Sequence, residues 1–163
     1  MREAQEKVVK IGLKNGCNDP AVQIETDSLC STSQFILWSM RQWLRASSAP
    51  MPIYNALEDV FLMAGCEDAI PLMDETMSLL SKTACRTITL GCTCKTHLSE
   101  DELALLTIAR LLGTGNHLQA INVLQPLIAG PCAISFCRTF ELLIALLARK
   151  GMRIKTNRQL ALA

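Results

Sequence analysis

The chain has 163 residues, of which 50% are apolar, and its 16 lysines and arginines nearly balance 15 aspartates and glutamates. Disordered chains have too few apolar residues to bury a core, so this composition excludes disorder and predicts one folded domain. A formal charge of +1 gives no long-range attraction to nucleic acid or to an anionic membrane. We therefore expect neither as a partner.

Two features of the sequence, its charged first turns and its longest apolar run, indicate the cellular compartment. Charged residues such as Glu3, Lys7 and Lys10 interrupt the first turns, and a secretory signal needs an unbroken apolar stretch there. The longest all-apolar run, residues 142–148, is shorter than the roughly 20 residues that span a bilayer. These features predict a soluble, cytoplasmic protein. Its eight cysteines are accordingly expected to be reduced: Cys17, Cys30, Cys66, Cys85, Cys92, Cys94, Cys132 and Cys137.

The chain divides into three parts by pattern. Residues 1–30 have weak periodicity and mixed charge, and are predicted to form an N-terminal arm or a loosely packed helix. Residues 31–150 have helical periodicity outside one connector near 85–98 and are predicted to form a single α-helical domain. Residues 151–163 form a basic C-terminal tail.

Helix start and stop signals give the elements of the first half. Ser31 or Ser33 is suited to cap a helix that runs to about Ala46. A second helix is predicted over 53–64, where Gly65 ends it, and a third over 68–81 with a proline near its start.

The second half begins with an irregular, cysteine-rich connector near residues 85–98. Ser99 and Glu102 form a capping-box pattern, which predicts the start of a helix that turns through residues 113–115 into a second helix. Pro126 is expected to kink that second helix before it ends near residue 130, and the pair forms an αα-hairpin over about 99–130. A last, strongly apolar helix is predicted over about 133–150.

Six helices joined by short links, with at most one short strand, predict an all-α fold. The arrangement is expected to be a compact bundle or an orthogonal array. The apolar circumference of the last helix exceeds what a small monomer covers, so a homodimer is also predicted.

One cluster in the connector has the residue types of a metal site. Three thiolates and one imidazole could complete a tetrahedral zinc site, although the single residue between two of the cysteines is closer than zinc ligands are usually spaced. Reduced packing cysteines and a redox Cys-x-Cys pair are the alternatives. The cluster consists of Cys85, Cys92, Cys94 and His97.

A second group of residues has the composition of a partner-binding surface. On a helical wheel of about 100° per residue, Trp38 falls opposite the apolar face, beside Arg41 and Arg45. An exposed tryptophan next to arginines is typical of interface anchors. We therefore take these three residues as candidate partner contacts.

No catalytic motif is present. The chain has two histidines, and it has no nucleophile elbow, phosphate-binding loop or His-Glu-x-x-His helix. The leading hypothesis is a non-catalytic cytosolic interaction or regulatory module with no cofactor. The alternative is a zinc-binding or thiol-redox protein that uses Cys85, Cys92, Cys94 and His97.

Overall fold

The computed structural model describes residues 11–13, 24–128 and 130–155. This part of the chain is mostly helical, so the predicted all-α fold is confirmed. Its six α-helices are α1 (Ser31–Ser47), α2 (Ile53–Met63), α3 (Ile70–Thr83), α4 (Glu100–Gly113), α5 (His117–Leu124) and α6 (Pro131–Arg149). Two short strands, β1 (Ile11–Leu13) and β2 (Ile88–Leu90), and two short 3-10 helices, Thr26–Ser28 and Glu67–Ala69, complete the description.

The helix ends follow the sequence signals in one case and depart from them in another. Before α4, the Ser99 side chain accepts from the backbone N–H of Glu102 and the Glu102 side chain accepts from that of Ser99, so the predicted capping box is confirmed. The predicted serine cap of α1 is wrong, because Cys30 is the N-cap residue and makes no side-chain capping hydrogen bond.

Pro126 ends α5 where the sequence had predicted a kink. The Gln125 N–H donates to the Ile121 carbonyl (3.0 Å), residues 125–127 form turns, and the Ile128 N–H donates to the Leu124 carbonyl (2.9 Å). Because a proline has no N–H, Pro126 interrupts this series of helical bonds, although Gln125 before it keeps helical backbone angles (φ −50°, ψ −40°). The second helix of the hairpin is therefore shorter than predicted.

Backbone contacts attach the N-terminal part of the chain to the domain at two places. Strand β1 pairs in parallel with β2, with Ile11 opposite Ile88 and Leu13 opposite Leu90. Farther along, the N–H of Thr26 donates to the carbonyl of Thr96 (2.7 Å). Residues 1–10 and 14–23 of the predicted arm, and residues 156–163 of the predicted tail, lie outside the described residues.

Helix α6 is the central helix of the core. It packs against α3, α4 and α5, and its Phe136 and Phe140 rings meet edge to face at 5.4 Å. By length and composition alone it could also cross a membrane, a test that the core helix of a globular domain passes as well. Nine of its residues are buried within the chain: Ala133, Phe136, Cys137, Thr139, Phe140, Leu143, Ile144, Leu146 and Leu147.

Candidate functional site

The four residues of the predicted metal cluster lie along one connector without converging. Cys85 is exposed just after α3, and its backbone N–H donates to the carbonyl of Leu127 (2.8 Å). At the other end of the connector, the His97 Nδ1 lies 3.0 Å from the hydroxyl of Thr96. Within residues 24–128 and 130–155, no group of three or more His, Cys, Asp or Glu side chains could hold a metal ion. The zinc hypothesis therefore stays a prediction without a supporting geometry.

Cys92 and Cys94 are joined to each other by a disulfide. The turn after β2 places their Cα atoms 5.4 Å apart, within the range that a disulfide requires. The expectation that every cysteine is reduced is therefore wrong for this pair. Of the two residues, Cys94 is exposed and Cys92 is half-buried.

A buried ion pair lies beneath the loop that carries the disulfide. The Arg41 guanidinium donates from Nε to the Glu102 Oε1 (2.7 Å) and from Nη2 to the Glu102 Oε2 (2.9 Å). The side chains of Arg41 and Glu102 are 4% and 0% exposed. This forked geometry is the strongest form of a charge-assisted pair. Arg41 was predicted on the exposed polar face of its helix, and that expectation is wrong because the guanidinium finds its partners inside.

The same ion pair holds the disulfide loop at both ends. Ahead of the cysteines, the N–H of Gly91 donates to the Glu102 Oε1 (2.8 Å). After them, Arg41 donates from Nη1 to the Lys95 carbonyl (2.7 Å) and from Nη2 to the His97 carbonyl (3.2 Å). The two cysteines therefore lie on a short turn whose flanks are attached to one buried charge pair.

Gly91 permits this close approach. A Cβ atom at this position would lie 3.0 Å from the Cδ of Lys95 and 3.2 Å from the Nη2 of Arg41. Both distances are shorter than ordinary van der Waals contact, so a larger residue would displace the Lys95 side chain and press on the Arg41 guanidinium. The glycine before the first cysteine is thus part of the geometry that the ion pair fixes.

A second set of bonds ties strand β2 to the start of α4. The buried Asp101 carboxylate accepts from the Thr89 N–H (2.7 Å) and from the Arg86 Nη2 (2.6 Å). The hydrogen bond to Asp101 raises the pKa of Arg86. The Ser99 hydroxyl also donates to the Thr89 carbonyl (2.7 Å). The strand that leads into the disulfide loop is therefore fastened along its length.

Two adjoining cavities open beside this loop, and Trp38 lines both. The first has a volume of about 200 Å³ and reaches the disulfide loop through Thr93 and Lys95. The second has a volume of about 290 Å³ and extends to Val60 on α2. Gln34 also lines both cavities, so they adjoin each other at Gln34 and Trp38, and we refer to the two together as the groove.

The three predicted partner contacts have separate environments. Trp38 is half-buried against the core and lines the groove. Arg41 also lines the first cavity, but its charge is paired with Glu102. Arg45 is exposed near the end of α1 and lines neither cavity. Of the three residues, only Trp38 lies where an aromatic side chain could contact a partner, as the sequence had suggested.

Three further cysteines differ in acidity because their surroundings differ. Burial raises the pKa of Cys66 and of Cys137, which favours their neutral thiol forms. At Cys30 burial also raises the pKa, but the hydrogen bond with the Ser33 hydroxyl and weaker interactions with backbone groups outweigh it and leave the pKa lowered. The Cys30 sulfur lies 3.2 Å from that hydroxyl.

Two important site residues were seen in the sequence only in part or missed. Glu102 was recognised as a helix cap, but nothing local indicates that it also binds an arginine 61 residues earlier. Lys95 was not singled out, although its carbonyl accepts from Arg41 and its side chain lines the groove. One local signal could have indicated Lys95 and Glu102, namely the closely spaced Cys-x-Cys followed by a capping box.

Comparison with protein families, curated proteins and solved structures finds no match to this chain.

Proposed function

We propose that this protein is a thiol–disulfide redox protein and that Cys92 and Cys94 form its redox centre. The observation that carries the proposal is a disulfide between cysteines one residue apart, with Cys94 exposed. The redox alternative considered for the sequence thus has geometric support, whereas the metal alternative does not.

A purely structural role explains this disulfide less well. In the chain-entropy model, closing a ring over residues 92–94 stabilises the folded state by only about 1.6 kcal/mol, against about 3 kcal/mol for a 15-residue loop. The flanks of this loop are already held by Gly91, Lys95 and His97 through the Arg41–Glu102 pair. The Cys92–Cys94 disulfide therefore restrains the loop little further, and a redox role accounts for it better than a structural role.

The proposed reaction is a two-electron exchange with a thiol-containing substrate. A substrate thiolate attacks the Cys94 sulfur, a mixed disulfide forms, and Cys92 leaves as a thiolate that takes up a proton. A second substrate thiolate then attacks the substrate sulfur of the mixed disulfide and releases Cys94 as a thiolate. The substrate dithiol is oxidised to a disulfide, and the Cys92–Cys94 disulfide is reduced to a dithiol. The reverse sequence reduces a substrate disulfide.

The ion pair beneath the loop has a positioning role in this scheme. Its bonds to Gly91, Lys95 and His97 involve backbone atoms outside the cysteines, so they do not depend on the disulfide itself. The two thiols of the reduced form therefore stay close together, which favours re-formation of the ring.

Single-cysteine variants test the proposal. With glutathione disulfide as the substrate, Cys92→Ser should accumulate a stable glutathione adduct on Cys94, because the resolving thiol is absent. In Cys94→Ser the half-buried Cys92 should form its adduct more slowly. The exposed Cys132 on α6 is the internal reference for an isolated thiol. Peptide mapping by mass spectrometry assigns each adduct, and equal rates at all three positions would contradict the proposal.

A further inference from the structure

The groove beside the redox pair has the features of a substrate site. Its first cavity is lined by Thr93, the residue between the two cysteines, and by Lys95, which follows them. Any molecule that fills this cavity therefore lies next to the disulfide loop. Its second cavity shares Trp38 and Gln34 with the first and is also lined by Phe35 and Val60.

We propose that this groove binds an extended, cysteine-containing segment of a partner polypeptide and presents its thiol to Cys94. The inference rests on the proposed redox function and names the substrate class for that site. It assigns Trp38 as the residue that selects a polypeptide over a small thiol.

The length of the groove favours a polypeptide. A small thiol at the disulfide would occupy the first cavity alone, which measures about 200 Å³. The second cavity, about 290 Å³, would stay unused although Trp38 and Gln34 join it to the first. A partner polypeptide whose cysteine reaches Cys94, and whose neighbouring residues pass Trp38, fills both cavities.

The lining also matches a peptide segment. Leu37, Phe35 and Trp38 supply apolar surface, and Thr26, Asp27, Gln34, Thr93 and Lys95 supply hydrogen-bonding groups around it. Apolar contact inside a polar rim is typical of protein recognition sites. Apart from Arg41, whose charge is paired with Glu102, the lining carries one acidic and one basic side chain, Asp27 and Lys95, so it suits a segment without a large net charge.

One wall of the groove is pre-organised. The Gln34 side chain donates to the carbonyls of Leu29 (3.0 Å) and Asp27 (3.4 Å), and the Thr26 N–H donates to the Thr96 carbonyl. These bonds hold the segment that carries Thr26 and Asp27 against α1 and the end of the disulfide loop. Binding to a groove already formed costs less ordering entropy than binding to a mobile one.

The test follows loss of the Cys92–Cys94 disulfide in the full chain, measured by acid quenching, alkylation and mass spectrometry. The reductants are dithiothreitol and two peptides with a central cysteine, one with flanking leucine and phenylalanine and one with flanking glycine. We expect the apolar peptide to react faster than the glycine peptide. Trp38→Ala should slow the apolar peptide by about tenfold and slow dithiothreitol, which does not reach the second cavity, much less.

Two further variants complete the test. Tyr54→Ala removes an exposed aromatic ring of α2 that lines neither cavity, and it should leave all rates unchanged. Asp27→Lys changes an exposed rim residue, so it tests the groove even where Trp38→Ala disturbs folding. It should raise the rate of a peptide with a flanking glutamate relative to one with a flanking lysine.

The outcomes separate the two proposals. Selective loss of peptide reactivity in Trp38→Ala, or the shift in charge preference in Asp27→Lys, supports the groove. Equal rates for both peptides in the wild type, with no effect of either variant, overturn the groove and leave the redox function standing. Failure of every reductant, dithiothreitol included, to open the disulfide overturns the redox function itself.

Discussion

The Nε of Arg41 lies 2.7 Å from the Oε1 of Glu102, and both side chains are almost fully buried although the residues are 61 positions apart. The pair joins α1 to α4 and holds the disulfide loop from below. Because each charge is desolvated, each depends on the other for its hydrogen bonds.

Removal of either partner should destabilise the fold strongly. Arg41→Met leaves the Glu102 carboxylate buried without its cation, and Glu102→Gln leaves the guanidinium without its anion. Each variant is expected to lower the free energy of unfolding by about 3–5 kcal/mol. Urea denaturation followed by circular dichroism measures the loss. Arg45→Met, which removes an exposed arginine of the same helix, should change stability by less than about 0.5 kcal/mol.

The coupling between the two residues can be measured in a cycle. The double variant with Arg41→Met and Glu102→Gln removes both charges together, so its destabilisation should be smaller than the sum of the single losses. Strict additivity of the two losses would show that the buried side chains do not interact, contrary to the structure.

The capping serine of α4 should contribute more than the serine that begins α1. Ser99 accepts from the Glu102 N–H (3.1 Å) and donates to the Thr89 carbonyl (2.7 Å). Its replacement by alanine is expected to cost about 1–2 kcal/mol of unfolding free energy. Ser31→Ala is the matched control because Ser31 is exposed and Cys30 occupies the N-cap position. Similar melting temperatures for the two variants would contradict this assignment.

The buried thiol of Cys137 should make stability fall at alkaline pH. Burial raises its pKa in the folded state above its usual value near 9.0. As pH rises past 9.0 the unfolded chain loses this proton while the folded chain keeps it. The stabilisation is therefore complete below the unfolded pKa and is lost as pH rises through the folded pKa.

Denaturation between pH 8 and pH 11 measures this effect. For each variant, the free energy of unfolding at alkaline pH is compared with its value at neutral pH. This difference should be smaller in Cys137→Ala than in the wild type. Cys132→Ala, on the exposed side of the same helix, should leave the slope unchanged. An unaltered slope in Cys137→Ala would show that its thiol titrates normally.

The outer face of α6 should mediate self-association, as the sequence suggests for this helix. Ile134 and Leu142 are 56% and 60% exposed although the opposite face is buried. We expect light scattering to give twice the 17.9 kDa chain mass at micromolar concentration. Leu142→Glu should shift the mass toward the monomer, whereas Met63→Glu on α2 should not. A wild-type mass of 17.9 kDa would exclude the dimer.

Local signals predicted most of the fold, and long-range contacts account for what they missed. The capping box at Ser99 and Glu102 depends on residues three apart, so the sequence alone specifies it. The burial of Arg41 depends on a partner 61 residues away. A helical wheel contains no information about such a partner, so the sequence placed this arginine on the exposed face. The pairing of β1 with β2 likewise joins distant segments, so no local pattern could have shown it.

The candidate site shows the same division. The cysteine types and spacing were enough to single out Cys92 and Cys94, and Trp38 stood out by its position on the wheel. That the disulfide loop and the Trp38 groove adjoin each other, through Thr93 and Lys95, follows only from the folded arrangement. The sequence therefore treated these two groups separately, whereas the structure places Trp38 and the disulfide loop on the same cavity.

The most direct test of the redox assignment is the equilibrium of the Cys92–Cys94 pair in glutathione buffers of graded potential, with alkylation and peptide mapping to count the two thiols. We predict a reversible two-electron transition with a midpoint between about −300 mV, below which structural disulfides are found, and about −180 mV. A pair that stays oxidised or stays reduced over the whole range from about −300 to −180 mV would contradict the account.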